Sequence, residues 1–313
     1  MKIITLVPVK NEGWILRFSL KNFSIFSDEI IILDDNSNDN LYEIVKEYPK
    51  VKVIPFVTKE TFVDMSLRRN ILLKEGRRSG GTNFVFLDAD EIFSDNFSRN
   101  LRKNIASMRQ GETLCLPWVF IEQDGGDLCF NSKEKSGHKD FIFYDDELSV
   151  FKKQFLSEDR TPGNHLHKIY IPFEKGYVLH FQKLAQKRNQ LKQAWYRCNE
   201  MLKGDRSAKR INAVYHHSKE SSILSKELLK DDFTTSNFNM ITQNTGYDFY
   251  IHQIADLFRQ KNITFFEPLD IWHIPELREL FINEVGRDPK VKMFPIWLLF
   301  LNNIKNKIKN AIL

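Results

Sequence analysis

Cysteine is scarce in this chain: Cys115, Cys129 and Cys198 are the only three in 313 residues. An odd number at wide spacing builds neither a disulfide framework nor a zinc site, so reduced packing residues are expected. Long apolar runs are missing too. No stretch reaches the roughly 18–20 residues that cross a bilayer as a helix. Met1 to Val7 leads straight into strand-like sequence, without the pattern of a signal peptide. Internal repeats and low-complexity segments are absent. So are the glycine-rich cradles that hold phosphate by backbone N–H groups alone: there is no GxxxxGK[ST] loop, and no GxGxxG follows the first strand. Gly80-Gly81 precedes a strand instead of opening a helix, and reads as a turn. Charge of one sign does not dominate. A net charge of +5 permits nucleic acid or an anionic membrane as partner and demands neither.

What is present is a chain longer than the usual single domain, which predicts one large domain with an appendage. Hydrophobic residues make up 42% and phenylalanine numbers 26, so the core should be large and aromatic. The first hundred residues alternate between two periods. Ile3–Val7 is a short β-rich run; Leu16, Leu20 and Phe23 then recur at helical spacing. Glu29–Leu33 is a second buried strand, followed by Leu41, Ile44, Val45 and Tyr48 on one helical face. Val51–Val57, interrupted by Pro55, suits a strand near an edge. Val63, Leu67 and Ile71 mark a third helix. Phe84–Leu87 is a fourth strand, and Phe97, Leu101, Ile105 and Met108 mark a helix that Ser94 can cap. Strand and helix in strict alternation predict a doubly wound α/β domain with a mostly parallel sheet.

Ligands of such sheets bind beyond the carboxyl ends of the strands. Three polar clusters fall there. The first is Pro8-Val-Lys-Asn-Glu12, where Asn11 can cap the following helix. The second is Asp34-Asp-Asn-Ser-Asn-Asp39. The third is Asp88-Ala-Asp-Glu91, directly after the apolar run. Side chains alternate along an extended strand, so Asp88 and Asp90 should point the same way. Two carboxylates aimed together repel unless a cation lies between them. Oxygen ligands suit a hard ion such as Mg2+ or Mn2+, with phosphate oxygens completing its shell. Arg68 and Arg69, on the third helix, are the basic candidates for the phosphates themselves.

In combination these motifs resemble the nucleotide-binding half of the GT-A fold glycosyltransferases, and most closely family 2. The matching features are Pro8-x-x-Asn11-Glu12, Asp34-Asp35-x-Ser37-x-Asp39, the helical pair Arg69-Asn70, and Asp88-x-Asp90. The residues Met65 to Arg68 depart from the small residues usual before the Arg-Asn pair. The resemblance implies that Pro8 and Glu12 line the base and ribose of a nucleoside diphosphate sugar. It implies that Asp34 or Asp35 binds the base, often uracil, which favours a UDP-sugar. By the same resemblance Arg69 approaches the diphosphate, Asp88 faces the ribose or sugar, and Asp90 holds Mn2+ or Mg2+.

Inverting transfer also needs a base to take the acceptor's proton. GT-A enzymes often place it in a Glu-Asp pair after the metal triplet, which makes Asp159 of Glu158-Asp159 the first candidate. Bacterial relatives often carry a His-Glu pair instead; here that slot holds His167-Lys168, and lysine cannot be a carboxylate base. His180 ends the apolar run Tyr177–Leu179 and is the candidate late histidine ligand of the metal, alongside Asp88 and Asp90. His165 and His167 suit solvent or acceptor contact better. Thr113–Ile121, Leu148–Lys153 and Gly176–Phe181 read as further strands, and Glu122–Asp140 as a long polar loop.

Residues 1–182 are therefore expected to form the nucleotide-sugar-binding and catalytic domain, and 183–313 a helical C-terminal region. Within the latter His216-His217 reads as structural or exposed. Met293–Leu301 is strongly apolar, and Ile304, Ile308 and Ile312 then share one helical face flanked by Lys305 and Lys309. An interfacial helix on an anionic membrane fits 293–313, and so does docking on the protein's own core. The expected activity is metal-dependent, inverting transfer of a sugar, hexosyltransferase-like, onto a bacterial surface glycan or glycolipid such as a polysaccharide or lipopolysaccharide. The expected location is the cytoplasm or the inner membrane face. Two readings compete: a sugar nucleotidyltransferase, which would want a glycine-rich, arginine-bearing loop after the first strand, and a non-catalytic basic module for polyanions. Nucleic acid is not an expected partner.

Overall fold

The computed structural model describes residues 1–57, 65–131, 137–152, 160–162, 167–215, 226–242 and 247–290. The chain divides into two compact units, one of residues 1–186 and 220–246 and one of residues 187–219 and 247–313.

The first unit is built on β1 (Ile3–Val9), β2 (Glu29–Asp34), β3 (Val51–Pro55) and β4 (Asn83–Phe86), all parallel, in the order β4-β1-β2-β3. The alternation of strand side chains sorts them between two cores. Ile3, Val7, Ile30, Ile32 and Val85 pack with helices α1 (Gly13–Phe26) and α4 (Asp95–Ile105) on one face. Ile4, Leu6, Ile31, Leu33, Phe84 and Phe86 pack with Leu72 and Leu73 of helix α3 (Met65–Arg78) on the other. Strands buried on both faces need the continuous apolar runs seen in the sequence. β3 lies at the end of this order, as its Pro55 and charged Lys52 require. Gly76 and Gly81 let α3 close on β4, because a Cβ at either would meet the Phe84 ring at 2.5 Å.

Beyond β4 the sheet turns antiparallel through β8 (His138–Tyr144), β6 (Thr113–Asp124), β7 (Asp127–Asn131) and β11 (Lys226–Leu228). Short β9 (Lys168–Tyr170) pairs with β6, and β10 (Val178–His180) joins β6 to β5 (Glu91–Phe93). The fold is the expected α/β GT-A class, with helices in its C-terminal part.

Several local expectations are corrected. Glu122–Asn131 and His138–Asp140, expected in a loop, belong to β6, β7 and β8 and the turn between the first two: Asp124-Gly-Gly-Asp127 is a two-residue hairpin turn, with Gly125 at φ 59° and Gly126 at φ 102°, joining β6 to β7. Leu148–Phe151 forms no strand. Asp146 accepts hydrogen bonds from the backbone N–H groups of Leu148 and Ser149, and Leu148 remains 85% exposed. On α3 the buried face carries Ser66, Arg68, Arg69, Leu72 and Leu73, and Leu67 points to solvent. Among the described residues no helix is long and apolar enough to cross a membrane.

The second unit packs α5 (Gln186–Lys203), α6 (Ala208–Val214), α8 (Asp248–Gln260) and α9 (Pro275–Val285) around Leu191, Cys198, Ile254, Phe266, Trp272 and Phe281. Pro275 sits in the first turn of α9, where its missing N–H costs nothing. The remaining helices, α2 (Leu41–Val45) and α7 (Asp232–Asn237), belong to the first unit.

Candidate active site

The carboxyl ends of β1, β2 and β4 lie side by side, because the three strands are parallel neighbours. β1 continues past its last pairing with β4, Leu6 to Phe86, and Pro8 falls in that overhang. Val9 faces β2, since its C=O accepts from Asp35 N–H at 2.8 Å. Pro8 faces the opposite side, where β4 has already left, so its missing N–H breaks no ladder.

The first two loops are bolted together. Asn11 adopts φ 54°, a left-handed conformation that asparagine tolerates. Its N–H donates to Ser37 Oγ at 2.9 Å, and its Oδ1 accepts from Asn38 N–H at 2.8 Å. Asn11 is therefore not the cap of α1. Glu12 occupies that position and accepts from Trp14 Nε1 at 2.7 Å, while Asp39 reaches across to accept from Gly13 N–H at 2.7 Å. The Asn11 Nδ2 group is buried and has no partner among the described residues.

Asp34 and Asp35 are both buried and both committed to protein donors. Asp34 accepts from Ser37 N–H at 2.8 Å and from the Tyr42 hydroxyl at 2.9 Å. That hydrogen bond, helped by burial, raises the Tyr42 pKa. Asp35 accepts from the buried Arg68 at 2.6 Å, with Lys10 at 3.4 Å. Arg68, expected to reach phosphate, is thus the counter-ion of Asp35. Arg69 is buried beside the Phe151 ring at 5.9 Å. Its neighbour Asn70 clasps Phe151, accepting from its N–H at 2.8 Å and donating to its C=O at 2.9 Å.

At the end of β4 the chain does not stay extended. Glu91 N–H donates to Asp88 C=O at 3.1 Å and closes a turn, so Asp88 and Asp90 do not share a direction by alternation. Their carboxylates meet different partners. Asp88, 33% exposed, pairs with Arg160 at 3.0 Å; Asp90, 7% exposed, lies 3.3 Å from His180 Nε2. Register brings the His180 backbone there, because it pairs with Glu91 across β10 and β5. The imidazole is stacked on Trp118 at 4.8 Å, and its Nδ1 is buried without a partner among the described residues.

Glu91 is fully buried; the sequence places it in the third polar cluster but assigns it no role of its own. It accepts from Trp118 Nε1 at 2.7 Å, Asp88 N–H at 2.9 Å and Arg160 Nη1 at 2.6 Å. Burial pushes its pKa up, and Arg160 opposes the rise. Burial works against the Arg160 charge as well, but Asp88 and Glu91 outweigh it and hold that pKa above its ordinary value. An acid opening an apolar strand, as in Glu91-Ile-Phe93, is the local signal for a buried pair; nothing local marks Arg160 or Trp118.

Do these residues fit a divalent cation? Asp90 and His180 place an oxygen and a ring nitrogen together in a buried spot, with the second ring nitrogen unsatisfied. That donor chemistry suits Mn2+, while the Asp88 carboxylate is paired with Arg160 at 3.0 Å. Among the described residues no group of three or more His, Cys, Asp or Glu is arranged to hold a metal ion, so Asp88, Asp90 and His180 do not form a complete protein site by themselves. Asp159, Glu158, His165 and His216-His217 lie outside the described residues. His167 is exposed, and Lys168 neutralises Asp140 at 3.0 Å.

The sequence profile of glycosyl transferase family 2 matches residues 5–164, just over half of the chain. The chain belongs to glycosyl transferase family 2. The match spans all three strand-end loops and Arg160. No curated relative matches the sequence. Among solved structures, S. aureus TarS 1–349 in complex with UDP is 15% identical, with a TM-score of 0.44 over 91% of this chain and 88% of that one. The mannosyltransferase PcManGT from Pyrobaculum calidifontis, in complex with GDP-Man and Mn2+, is 13% identical, with a TM-score of 0.40 over 83% and 74%. Likenesses this low carry no argument about what this family 2 member binds.

Proposed function

We propose that this family 2 member transfers a sugar from a nucleoside diphosphate sugar to a glycan or glycolipid acceptor, with inversion and with Mn2+ or Mg2+ as cofactor. The observation that carries the reading is the placement of three polar loops at adjacent strand ends, the first two hydrogen-bonded to each other, with the Asp90–His180 pair at the tip of β4. Pro8, Glu12 and the Asp34–Asp35 loop would flank base and ribose, and a UDP-sugar is favoured by the family resemblance. Arg69 would approach the diphosphate, and Asp88 the ribose or sugar. Asp90 and His180, with Asp88 beside them, would hold the cation, which when bound offsets charge developing on the departing diphosphate. Asp159, or its neighbour Glu158, is proposed to take the acceptor's proton. Segment 293–313 lies outside the described residues; its seating on an anionic membrane, placing the enzyme at an inner membrane face, remains part of this proposal.

Calorimetric titration with UDP, GDP and CDP, with and without Mn2+, tests the donor. Metal-dependent binding of one nucleotide is expected, lost in Asp90→Ala. Binding that ignored both the metal and that substitution would defeat the assignment, and would favour the polyanion-binding module if clustered surface lysines governed it instead.

A further inference from the structure

Resting on the donor-site reading above, we propose that Arg160, together with Glu91 and Trp118, is a positioning device that sets Asp88 and His180 in place before any ligand arrives. Asp88, Asp90 and Glu91 crowd three carboxylates into one turn. Like charges so close repel, and a buried one without a partner is costly. Glu91 meets this by being surrounded with donors: an indole N–H, a backbone N–H and a guanidinium. The same guanidinium crosses to the motif. Its Nη1 holds Glu91 at 2.6 Å and its Nη2 holds Asp88 at 3.0 Å. One planar fork thereby fixes the half-exposed acid to the buried one, a geometry that the point charge of lysine does not reproduce.

The other arm of the device is aromatic. Trp118, anchored to Glu91 through Nε1, stacks on the His180 ring at 4.8 Å with 20° between planes. Phe120 meets the same imidazole at 4.7 Å. Ring packing thus orients His180 toward Asp90. Arg160 itself lies against Trp118 at 5.5 Å and Phe141 at 5.4 Å, which holds the cation where both acids need it. These side-chain contacts are additional to the sheet. Backbone pairing of Glu91 with His180 joins β5 to β10 without them. Partners of this kind fix ligand orientation, and their loss typically weakens metal binding by about 10–100-fold.

The test uses the full chain and calorimetry with UDP plus Mn2+, alongside thermal melting. Four proteins are compared: wild type, Arg160→Lys, Arg160→Met, and the double variant Arg160→Met with Glu91→Gln. Arg160→Met strands the buried Glu91 charge, so a lower melting temperature is expected. The double variant removes that charge and should recover most of the melting temperature, while its affinity for UDP with Mn2+ stays at least about tenfold weaker than wild type. Arg160→Lys should recover stability better than affinity. Recovery of wild-type affinity in the double variant would overturn the proposal and leave Arg160 a structural residue. Wild-type binding with losses confined to the variants separates this claim from the donor-site reading; a wild-type chain that ignores UDP, GDP and CDP would end both.

Discussion

Removing the Arg68 side chain should destabilise the first unit by about 3 kcal/mol. Arg68 and Asp35 pair at 2.6 Å with side chains only 5% and 7% exposed. Breaking a buried pair by deleting one partner costs about 3–5 kcal/mol, because the other charge is left without its counter-ion. Lys10 stays within 3.4 Å of Asp35 and is 32% exposed, so it keeps part of the compensation and sets the lower end of that range. For a domain of this size, 1 kcal/mol shifts the melting temperature by about 2–4 °C, giving a drop of about 6–12 °C for Arg68→Ala. Differential scanning calorimetry at neutral pH measures it. The double variant Asp35→Asn with Arg68→Met has no orphaned charge and should melt above Arg68→Ala. A shift below about 2 °C for Arg68→Ala, or a double variant no better than the single one, would refute the reasoning.

Three further outcomes follow from the same structure. Gly76→Ala should destabilise by about 1–3 kcal/mol, because the new Cβ would meet the fully buried Phe84 ring at 2.5 Å where α3 closes on β4; urea unfolding checks this. Glu267 is held at a pKa of about 2 by its bidentate Arg287 partner and the Lys290 N–H, below an ordinary value of 4.5. A depressed folded value means stability that is present above 4.5 and lost as the pH falls toward 2, so Glu267→Gln should flatten the acid limb of unfolding across that window. Burial pushes the Cys115 thiol to about 12, and Cys129 and Cys198 are buried and raised as well. None of the three should react with a thiol reagent at neutral pH until the chain unfolds.

The parallel half of the fold was legible because its signals are local. Strands buried on both faces read as unbroken apolar runs at β1, β2 and β4, and Pro55 marked β3 as an edge. The polar residues around Gly125-Gly126 disguise a hairpin as a long loop, although two adjacent glycines are themselves a turn signal. Leu148 and Val150 imitated a strand by alternation, yet Asp146 captures the neighbouring N–H groups and folds the segment otherwise. The three motifs lie at the ends of β1, β2 and β4, as the alternating pattern predicts, but the directions of their side chains do not follow from it. A turn at Asp88–Glu91 replaces the extended geometry on which alternation depends. Arg160 and Trp118 reach Glu91 across 69 and 27 residues of sequence, and no spacing rule encodes contacts made by sheet register and a buried fork. Arg68 was found as a basic candidate for phosphate, and only packing shows that Asp35 claims it.

On the proposed reading, a divalent cation seated beside Asp90 and His180 joins the protein to a nucleoside diphosphate. Anomalous diffraction at the manganese edge, from crystals grown with UDP and Mn2+, tests it most directly. One strong peak adjoining both side chains and shared with the diphosphate oxygens is expected. UDP bound elsewhere, or bound at the strand ends with no manganese beside Asp90, would contradict it.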